Sequence, residues 1–239
     1  MKIRALLAAL LLTPLFIARA RADEDGDDEA AAIVHRYGLE NVEKLAALKF
    51  TFNVREGTAT ATRAWTWEIP SGKISLSTRE AGKPVTLSFN LNAPGAGNAR
   101  QNRRANAWFE NDREWLLLPL QIANDRNVDI TLDEDEPLPV PPGTADCLVV
   151  DPVEMPNVPP ADAHEIYFDS DRIIQQTVLR KNGSPTPTLV LQWSELAHAG
   201  PILVSLRRKT ADARTEIWFT DVQVQLRDAS DWVRARPGR

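Results

Sequence analysis

The chain has 239 residues, of which 26% are charged and 43% hydrophobic, and its formal net charge is −5. This length fits one sizeable domain or a close pair of domains. The acidic balance argues against nucleic acid as a partner, because phosphate binding requires a basic surface. Cys147 is the only cysteine, which excludes an internal disulfide and a cysteine-based zinc site.

The first 22 residues have the pattern of a secretory signal peptide. Lys2 and Arg4 precede an apolar run over residues 5–18, and Ala22 ends a small-x-small cleavage signal. The run is too short to span roughly 30 Å of hydrocarbon as a helix, and no later segment is as long and apolar as a membrane helix requires. We therefore expect a periplasmic or secreted protein, cleaved near Ala22, that does not span the membrane.

The residues after this signal predict an acidic leader and then a helix. Residues 23–29 (DEDGDDE) are interpreted as a disordered leader, since charge runs are normally solvated and the spacing does not fit a calcium loop. Apolar residues recur at helical spacing between residues 30 and 47, with Gly38 as an interruption. This pattern indicates two short helices or one bent helix.

From Leu48 onward the hydrophobic period changes from 3.6 to 2. Apolar and polar residues alternate, with short turn-like connections between the runs. Such alternation is typical of antiparallel hairpins with one dry and one wet face. The strands predicted here lie around residues 50–54, 65–69, 74–77 and 85–91.

The middle of the chain is less clear. Residues 98–111 have helical composition, whereas the apolar run over 115–122 (WLLLPLQI) is either a buried strand or a covering segment. Strand alternation resumes at Val128, and an exposed, acidic and proline-rich loop is expected over 133–143.

Further strands are predicted to the end of the domain. They lie at residues 146–150, 165–168, 172–180, 188–193, 202–208 and 214–226. A shift of the alternation in the last of them indicates a bulge near Asp221, and residues 229–239 are expected to form a loose tail.

The predicted elements give a fold class from an argument about area. Two helices, each about 10–12 Å wide, cover only four or five strands spaced about 4.8 Å apart. Roughly ten strands therefore favour a mainly β, α+β domain over residues 30–228. Its antiparallel sheet is strongly curved, a half-barrel wrapped around one or two helices.

Short motifs carry a resemblance to a known family. They are residues 111–119 (NDREWLLLP), preceded by Trp108 and Phe109, and the strand segments 166–169 (IYFD) and 217–219 (IWF). With the order of elements, they make the chain similar to the LolA-like (lipoprotein carrier-like) half-barrel superfamily, nearest to exported bacterial proteins that share N-D-x-x-W-L-L-x-P. The resemblance implies a half-barrel over residues 30–226 that holds lipid in its concave face, and it carries no catalytic residues.

Several side chains are candidates for binding an apolar ligand. The aromatic and aliphatic ones share a face if the hairpins pair as predicted, and they either line a ligand cavity or form ordinary core. The polar pair 111–112 either fixes a polar ligand group at the cavity mouth or caps helix and turn backbone. The candidates are Phe50, Phe52, Trp65, Trp67, Leu76, Leu87, Phe89, Trp108, Asn111, Asp112 and Trp115.

Catalytic and metal signatures are missing from the sequence. There is no G-x-S-x-G, and His35, His164 and His198 lack metal-ligand spacing. We expect no enzyme activity, no metal and no cofactor.

The preferred hypothesis is an exported, non-catalytic protein that binds a lipid or other apolar molecule. In its stronger version, the protein also carries this molecule through the periplasm. The alternative is an envelope scaffold that binds a protein partner and fills its core with its own side chains. A dry pocket lined by Trp65, Trp67, Leu87 and Phe89 would favour carriage, and a filled interior would favour the scaffold. A polar cleft with a histidine and carboxylates would favour an enzyme.

Overall fold

The protein folds as an open antiparallel sheet around a helix. A computed structural model describes residues 14–93, 99–122, 128–152 and 162–238, with side chains from residue 25 onward except at residue 99. The helices are α1 (Pro14–Arg36) and α2 (Ala99–Leu117). The strands are β1 (Leu45–Glu56), β2 (Ala59–Glu68), β3 (Lys73–Glu80), β4 (Lys83–Asn90), β5 (Val128–Pro137), β6 (Thr144–Pro152), β7 (Ala163–Phe168), β8 (Ile174–Arg180), β9 (Leu189–Ala199), β10 (Ile202–Lys209), β11 (Thr215–Leu226), β12 (Trp232–Arg234) and β13 (Arg236–Pro237).

The sheet confirms the predicted fold class. Within the described residues its thirteen strands follow the order β4-β3-β2-β1-β11-β10-β9-β8-β7-β6-β5, with β12 beside β11 and β13 beside β9. The strand pairs are antiparallel, and β4 and β5 are the two edges. The side of the sheet that carries α2 is the concave face.

One long-range pairing joins the two halves of the sheet. β1 pairs with β11 over most of its length, so the first four strands connect directly to the last ones. The predicted bulge is confirmed: Lys49 pairs with Gln223 but Thr51 pairs with Thr220, and Asp221 has a φ of 53°. The extra residue lets β11 follow the curved β1 without losing the inward direction of its apolar side chains.

Residues 115–122 form no strand. α2 extends to Leu117, and a short 3₁₀ turn over Leu118–Leu120 follows it. Leu116, Pro119 and Ile122 are buried, so the segment covers apolar sheet surface as the other interpretation of this run expected. Residues 115–122 are almost continuously apolar because this segment is buried on several sides.

The prediction of a disordered leader over 23–29 is wrong, because the described residues of this stretch are helical. This stretch belongs to α1, which lies against the edge strand β5. A Cβ on Gly26 would lie 2.5 Å from the carbonyl oxygen of Ile130, so only glycine allows this approach. Glu29 accepts two hydrogen bonds from Arg172, at 2.9 and 3.0 Å, which fixes the acidic end of the segment.

The break predicted at Gly38 is confirmed. α1 ends at Arg36, and a 3₁₀ helix over Leu39–Lys44 leads into β1. Gly38 has a φ of +88°, and a Cβ there would lie 2.6 Å from the carbonyl oxygen of Pro201. The chain therefore turns sharply at Gly38 and brings Tyr37 onto the sheet.

Two predicted loops are more ordered than expected. β5 extends to Pro137, and the backbone of Val140 exchanges two hydrogen bonds with the Gln176 side chain, so the remaining loop lies on the convex face. The predicted loose tail over 229–239 contains β12 and β13, which pair with β11 and β9. Unsatisfied strand backbone recruits these residues, and the packed unit extends beyond 30–228 in both directions.

The predicted signal peptide lies largely outside the described residues, which begin at Pro14. The predicted cleavage site near Ala22 falls within α1 and stays a prediction. Among the described residues, no helix combines the length with the apolar character that a membrane crossing demands.

Candidate functional site

The register brings the predicted aromatic and aliphatic candidates together on the concave face. Phe50 lies opposite Trp65, which lies opposite Leu76, which in turn lies opposite Leu87. A second row holds Trp67 and Phe89, with Ile74 between them. The hairpin arrangement that the sequence predicted is therefore correct.

Helix α2 covers this group of side chains. Phe109 packs edge-on against Trp65 and Trp67, with ring centroids 5.4 and 5.6 Å away. Phe50, Trp65 and Leu76 are each at most 2% exposed. These side chains form packed core in this structure, and a role of theirs in ligand binding stays a prediction.

Asp112 fastens α2 to β2. Its carboxylate is fully buried and accepts two hydrogen bonds from Arg63, both 2.6 Å long. It accepts a third from Nε1 of Trp65 at 2.8 Å, and Asn111 Nδ2 donates to it at 3.1 Å. Asp112 is therefore the centre of a buried ion pair, and a role for it in fixing a polar ligand group stays a prediction.

Trp108 lies on the outer side of the same helix. It is half-buried, with the guanidinium of Arg104 4.8 Å and that of Arg63 5.4 Å from its ring centroid. Arg104 also donates to Glu80 on β3 at 2.5 Å. These contacts hold the edge of α2 against the first hairpins.

The other half of the concave face contains a cavity. It has a volume of about 480 Å³ and lies between the end of α2 and strands β5–β7. Its apolar wall is formed by Leu118, Ile122, Val128, Val150 and Ile166. Its polar wall is formed by Glu114, Gln121, Asp162 and His164.

A second cavity of about 290 Å³ continues from the first. The two share Glu114, Asp162 and His164, so they adjoin along one polar wall. Three of the predicted candidates line the second cavity, namely Phe52, Asn111 and Trp115. Its floor reaches Leu189 on β9 and Ile217 on β11.

Desolvation shifts the pKa values of two groups on the polar wall, the exposed Glu114 and the half-buried His164. Desolvation raises the pKa of Glu114, and the nearby Asp162 carboxylate raises it further. Desolvation also lowers the pKa of His164, which favours the neutral imidazole, and Asp162 partly opposes this. A further negative charge at this wall, whether from ionised Glu114 or from a ligand, is therefore unfavourable.

The raised pKa of Glu114 gives a pH-dependent effect on stability. The folded state binds this proton more tightly than the unfolded state, so ionised Glu114 destabilises the fold above its folded pKa. Below its ordinary pKa of 4.5 the group is protonated in both states and the effect is lost. Because Glu114 is exposed and solvent screens its charge, we expect Glu114→Gln to raise the free energy of unfolding only slightly at pH 7 and not at all near pH 4, as measured by urea denaturation.

A matched control separates this effect from loss of charge alone. Glu134→Gln removes an exposed carboxylate on β5 and should change the free energy of unfolding little at either pH. An equal gain for Glu114→Gln at both pH values would contradict the assignment to its ionisation.

Sequence reasoning missed most of the cavity. The alternation of His164, Ile166 and Phe168 along β7 does indicate that they share a face. It does not indicate that α2 leaves this part of the face uncovered, because that depends on where the helix crosses the sheet. Among the described residues, no group of three or more His, Cys, Asp or Glu side chains is arranged to hold a metal ion.

Comparisons with known proteins give similarity in fold. No protein-family model matches the chain, and no curated protein matches it. The similar solved structures include a DUF1329 family protein from Desulfovibrio piger, with a TM-score of 0.45 and 10% identity over 88% of this chain and 95% of that one.

Two further structures are similar at the same level. A putative outer membrane lipoprotein-sorting protein domain from Vibrio parahaemolyticus has a TM-score of 0.46 and 8% identity, over 87% of this chain and 95% of that one. A LolA superfamily protein from Nitrosomonas europaea has a TM-score of 0.42 and 9% identity, over 84% and 95%.

Proposed function

We propose that the protein is an exported, non-catalytic binding protein for a lipid or another apolar molecule. The observation that supports this is the pair of adjoining cavities, about 480 and 290 Å³, on the helix side of an open sheet. Ligand sites in proteins are typically about 300–1,000 Å³ in volume and combine apolar walls with a few polar groups. Both features are present here. The shared wall also brings His164 together with Glu114 and Asp162, which is the combination that the enzyme alternative requires. Within the described residues no hydrogen bond or ion pair links this histidine to either carboxylate, and the apolar walls favour binding over catalysis.

Burial of apolar surface supplies the affinity in this proposal. Val150 and Ile166 offer a strip of aliphatic side chains along neighbouring strands, and Leu118 faces them from the end of α2. Each square ångström of apolar surface removed from water contributes about 25 cal/mol. The ligand that fits this wall best is an aliphatic chain.

The last turn of α2 and the 3₁₀ turn that follows it form the lid in this proposal. Trp115 lines the second cavity and Leu118 lines the first, so both cavities have part of their wall on the same short stretch. The 3₁₀ turn over Leu118–Leu120 changes the direction of the backbone at the end of α2. Displacement of this stretch would widen both cavities without disturbing the pairing of the strands.

The scaffold hypothesis has one observation in its favour. The half of the concave face over β1–β4 is filled by Phe109 and its neighbours on α2. A protein that used only this half would have a self-filled core and would bind an envelope protein through its outer surface. Binding at the open half distinguishes the two hypotheses.

A substitution that fills the cavity tests the proposal. Val150→Trp places an indole among the aliphatic wall residues, and we expect it to weaken binding of a fluorescent fatty acid by at least ten-fold in an equilibrium titration. The control is Val233→Trp, because Val233 is an exposed side chain on β12, 36% exposed. Undiminished binding by the Val150 variant, or no binding by the unmodified protein, would contradict the proposal and favour the scaffold.

A further inference from the structure

Arg208 on β10 is a buried cation that has no carboxylate partner among the described residues. Its side chain is fully buried, and its only hydrogen bond within the described residues runs from Nη1 to the carbonyl oxygen of Ser205, at 3.4 Å. Its Nε and Nη2 atoms have no partner there. A buried charge without a counter-ion is costly, so this arrangement requires a reason.

Aromatic rings hold the guanidinium in place. Its carbon lies 3.7 Å from the ring centroid of Trp193 and 5.4 Å from that of Phe219. Trp193 is itself oriented, because its Nε1 donates to Oγ1 of Thr177 at 3.0 Å. The planar guanidinium is therefore held against aromatic rings, while its Nε and Nη2 atoms have no hydrogen-bond acceptor among the described residues.

The guanidinium lies next to the proposed ligand cavity. Arg208 pairs in register with Ile217, which lines the second cavity. Phe219 packs at 5.7 Å against Phe52, another lining residue. Phe219 thus contacts the guanidinium on one side and the cavity wall on the other, so one layer of side chains separates Arg208 from the cavity.

We propose that Arg208 binds the anionic end of the ligand, a carboxylate or phosphate group carried on an aliphatic chain. This rests on the proposed function. The anion would supply the missing counter-charge and accept hydrogen bonds from Nε and Nη2, as guanidinium groups favour. To reach Arg208, the anionic group would displace the Phe219 side chain that separates Arg208 from the cavity. The aliphatic chain of the ligand would then extend from Arg208 into the apolar cavity.

The charges at the cavity wall favour the same orientation. Arg63, Lys181 and Glu56 line the second cavity alone and give that side a net positive charge, whereas Glu114 and Asp162 lie along the wall that the two cavities share. Carboxylates there repel an anionic group, so the acidic end of a ligand is disfavoured at this wall and favoured at Arg208.

Calorimetric titration with three ligands of equal chain length tests this proposal. We expect dodecanoate and dodecyl phosphate to bind the protein at least ten-fold more tightly than dodecanol does. Arg208→Met should reduce both acidic ligands to the dodecanol level and leave dodecanol unchanged. Arg208→Lys keeps the charge without the planar fork and should recover part of the preference.

The neighbouring Arg207→Met is the matched control. Arg207 is half-buried and ion-paired with Glu195 and Glu216, so its loss removes one positive charge away from the cavity. It should leave the preference for acidic ligands intact. Arg208→Met should melt no lower than the unmodified protein, because the change removes a buried unpaired charge; if it fails to fold, the lysine variant decides.

The outcomes separate this inference from the proposed function. Equal binding of dodecanol and dodecanoate, or a preference that survives in Arg208→Met, overturns the role of Arg208 alone. Failure of all three ligands to bind overturns the proposed function as well. Binding of inorganic phosphate or acetate as tightly as the chain-bearing ligands would contradict an amphiphile and indicate a site for a free anion.

Discussion

Replacing Asp112 with alanine should lower the free energy of unfolding by about 3–5 kcal/mol, the usual cost of removing one partner of a buried ion pair. Arg63 would be left with an unpaired and largely buried charge, since its side chain is 13% exposed. Trp65 would also lose the acceptor for its Nε1. Chemical denaturation monitored by tryptophan fluorescence measures the change.

A double substitution is the control for Asp112. Arg63→Met combined with Asp112→Leu removes both charges and fills the space with apolar groups, so it should destabilise the protein less than Asp112→Ala alone. If the single variant loses less than about 1 kcal/mol, a typical value for an exposed ion pair, Asp112 does not fasten α2 to the sheet.

Replacing Phe109 with alanine should also lower the free energy of unfolding by about 3–5 kcal/mol, as loss of a buried phenyl ring usually does. The ring is fully buried between α2 and the tryptophans of β2. Its removal would leave a void lined by Trp65 and Trp67. Denaturation gives the loss, and titration with a small apolar probe such as benzene shows whether the void takes a ligand.

Trp108→Ala is the control for Phe109. Trp108 precedes Phe109 in α2 but is only half-buried; its ring lies at the edge of the core and contacts the cations of Arg63 and Arg104. Its removal should cost about 1 kcal/mol, the scale of such contacts. Equal losses for the two variants would contradict the packing of Phe109 as the main apolar contact of α2.

The strands were predictable from sequence because they alternate locally. Phe50 and Leu76 each lie between polar neighbours, and Trp65 alternates with the polar Thr66 and Glu68. That pattern alone places the three on one face of a meander. The pairing of β1 with β11 joins residues more than 150 positions apart, such as Phe52 and Phe219. No local pattern specifies such a contact, although the bulge at Asp221 was visible as a shift in the alternation.

The helix that fills half of the concave face was only partly predictable. Ala105, Phe109, Asp112 and Leu116 follow helical spacing and are all fully buried. An aspartate in that stripe looks like the end of a helix when only the neighbouring residues are considered. Its counter-charge, Arg63, comes from the inward face of β2, so only the tertiary structure explains why the helix continues.

For the same reason, the cavities lie only partly among the residues that the sequence indicated. Of the aromatic residues that the sequence indicated, Trp65 and Trp67 pack against Phe109 of α2, whereas Phe52 and Trp115 line the second cavity. The space that remains is lined by smaller aliphatic residues such as Val150 and Ile166. They carry no distinctive signal, because aliphatic residues of this kind occupy every strand of a packed sheet.

Methyl NMR with a spin-labelled dodecyl chain tests the location of the ligand most directly. With labelled isoleucine and valine methyl groups, we expect the strongest line broadening at Val150 and Ile166, which line the larger cavity, and little at the exposed Val233. Broadening centred on Ile74, beneath α2, would place the chain among the tryptophans instead. Broadening at Val190 on the convex face, or at no site, would contradict a ligand in the concave face.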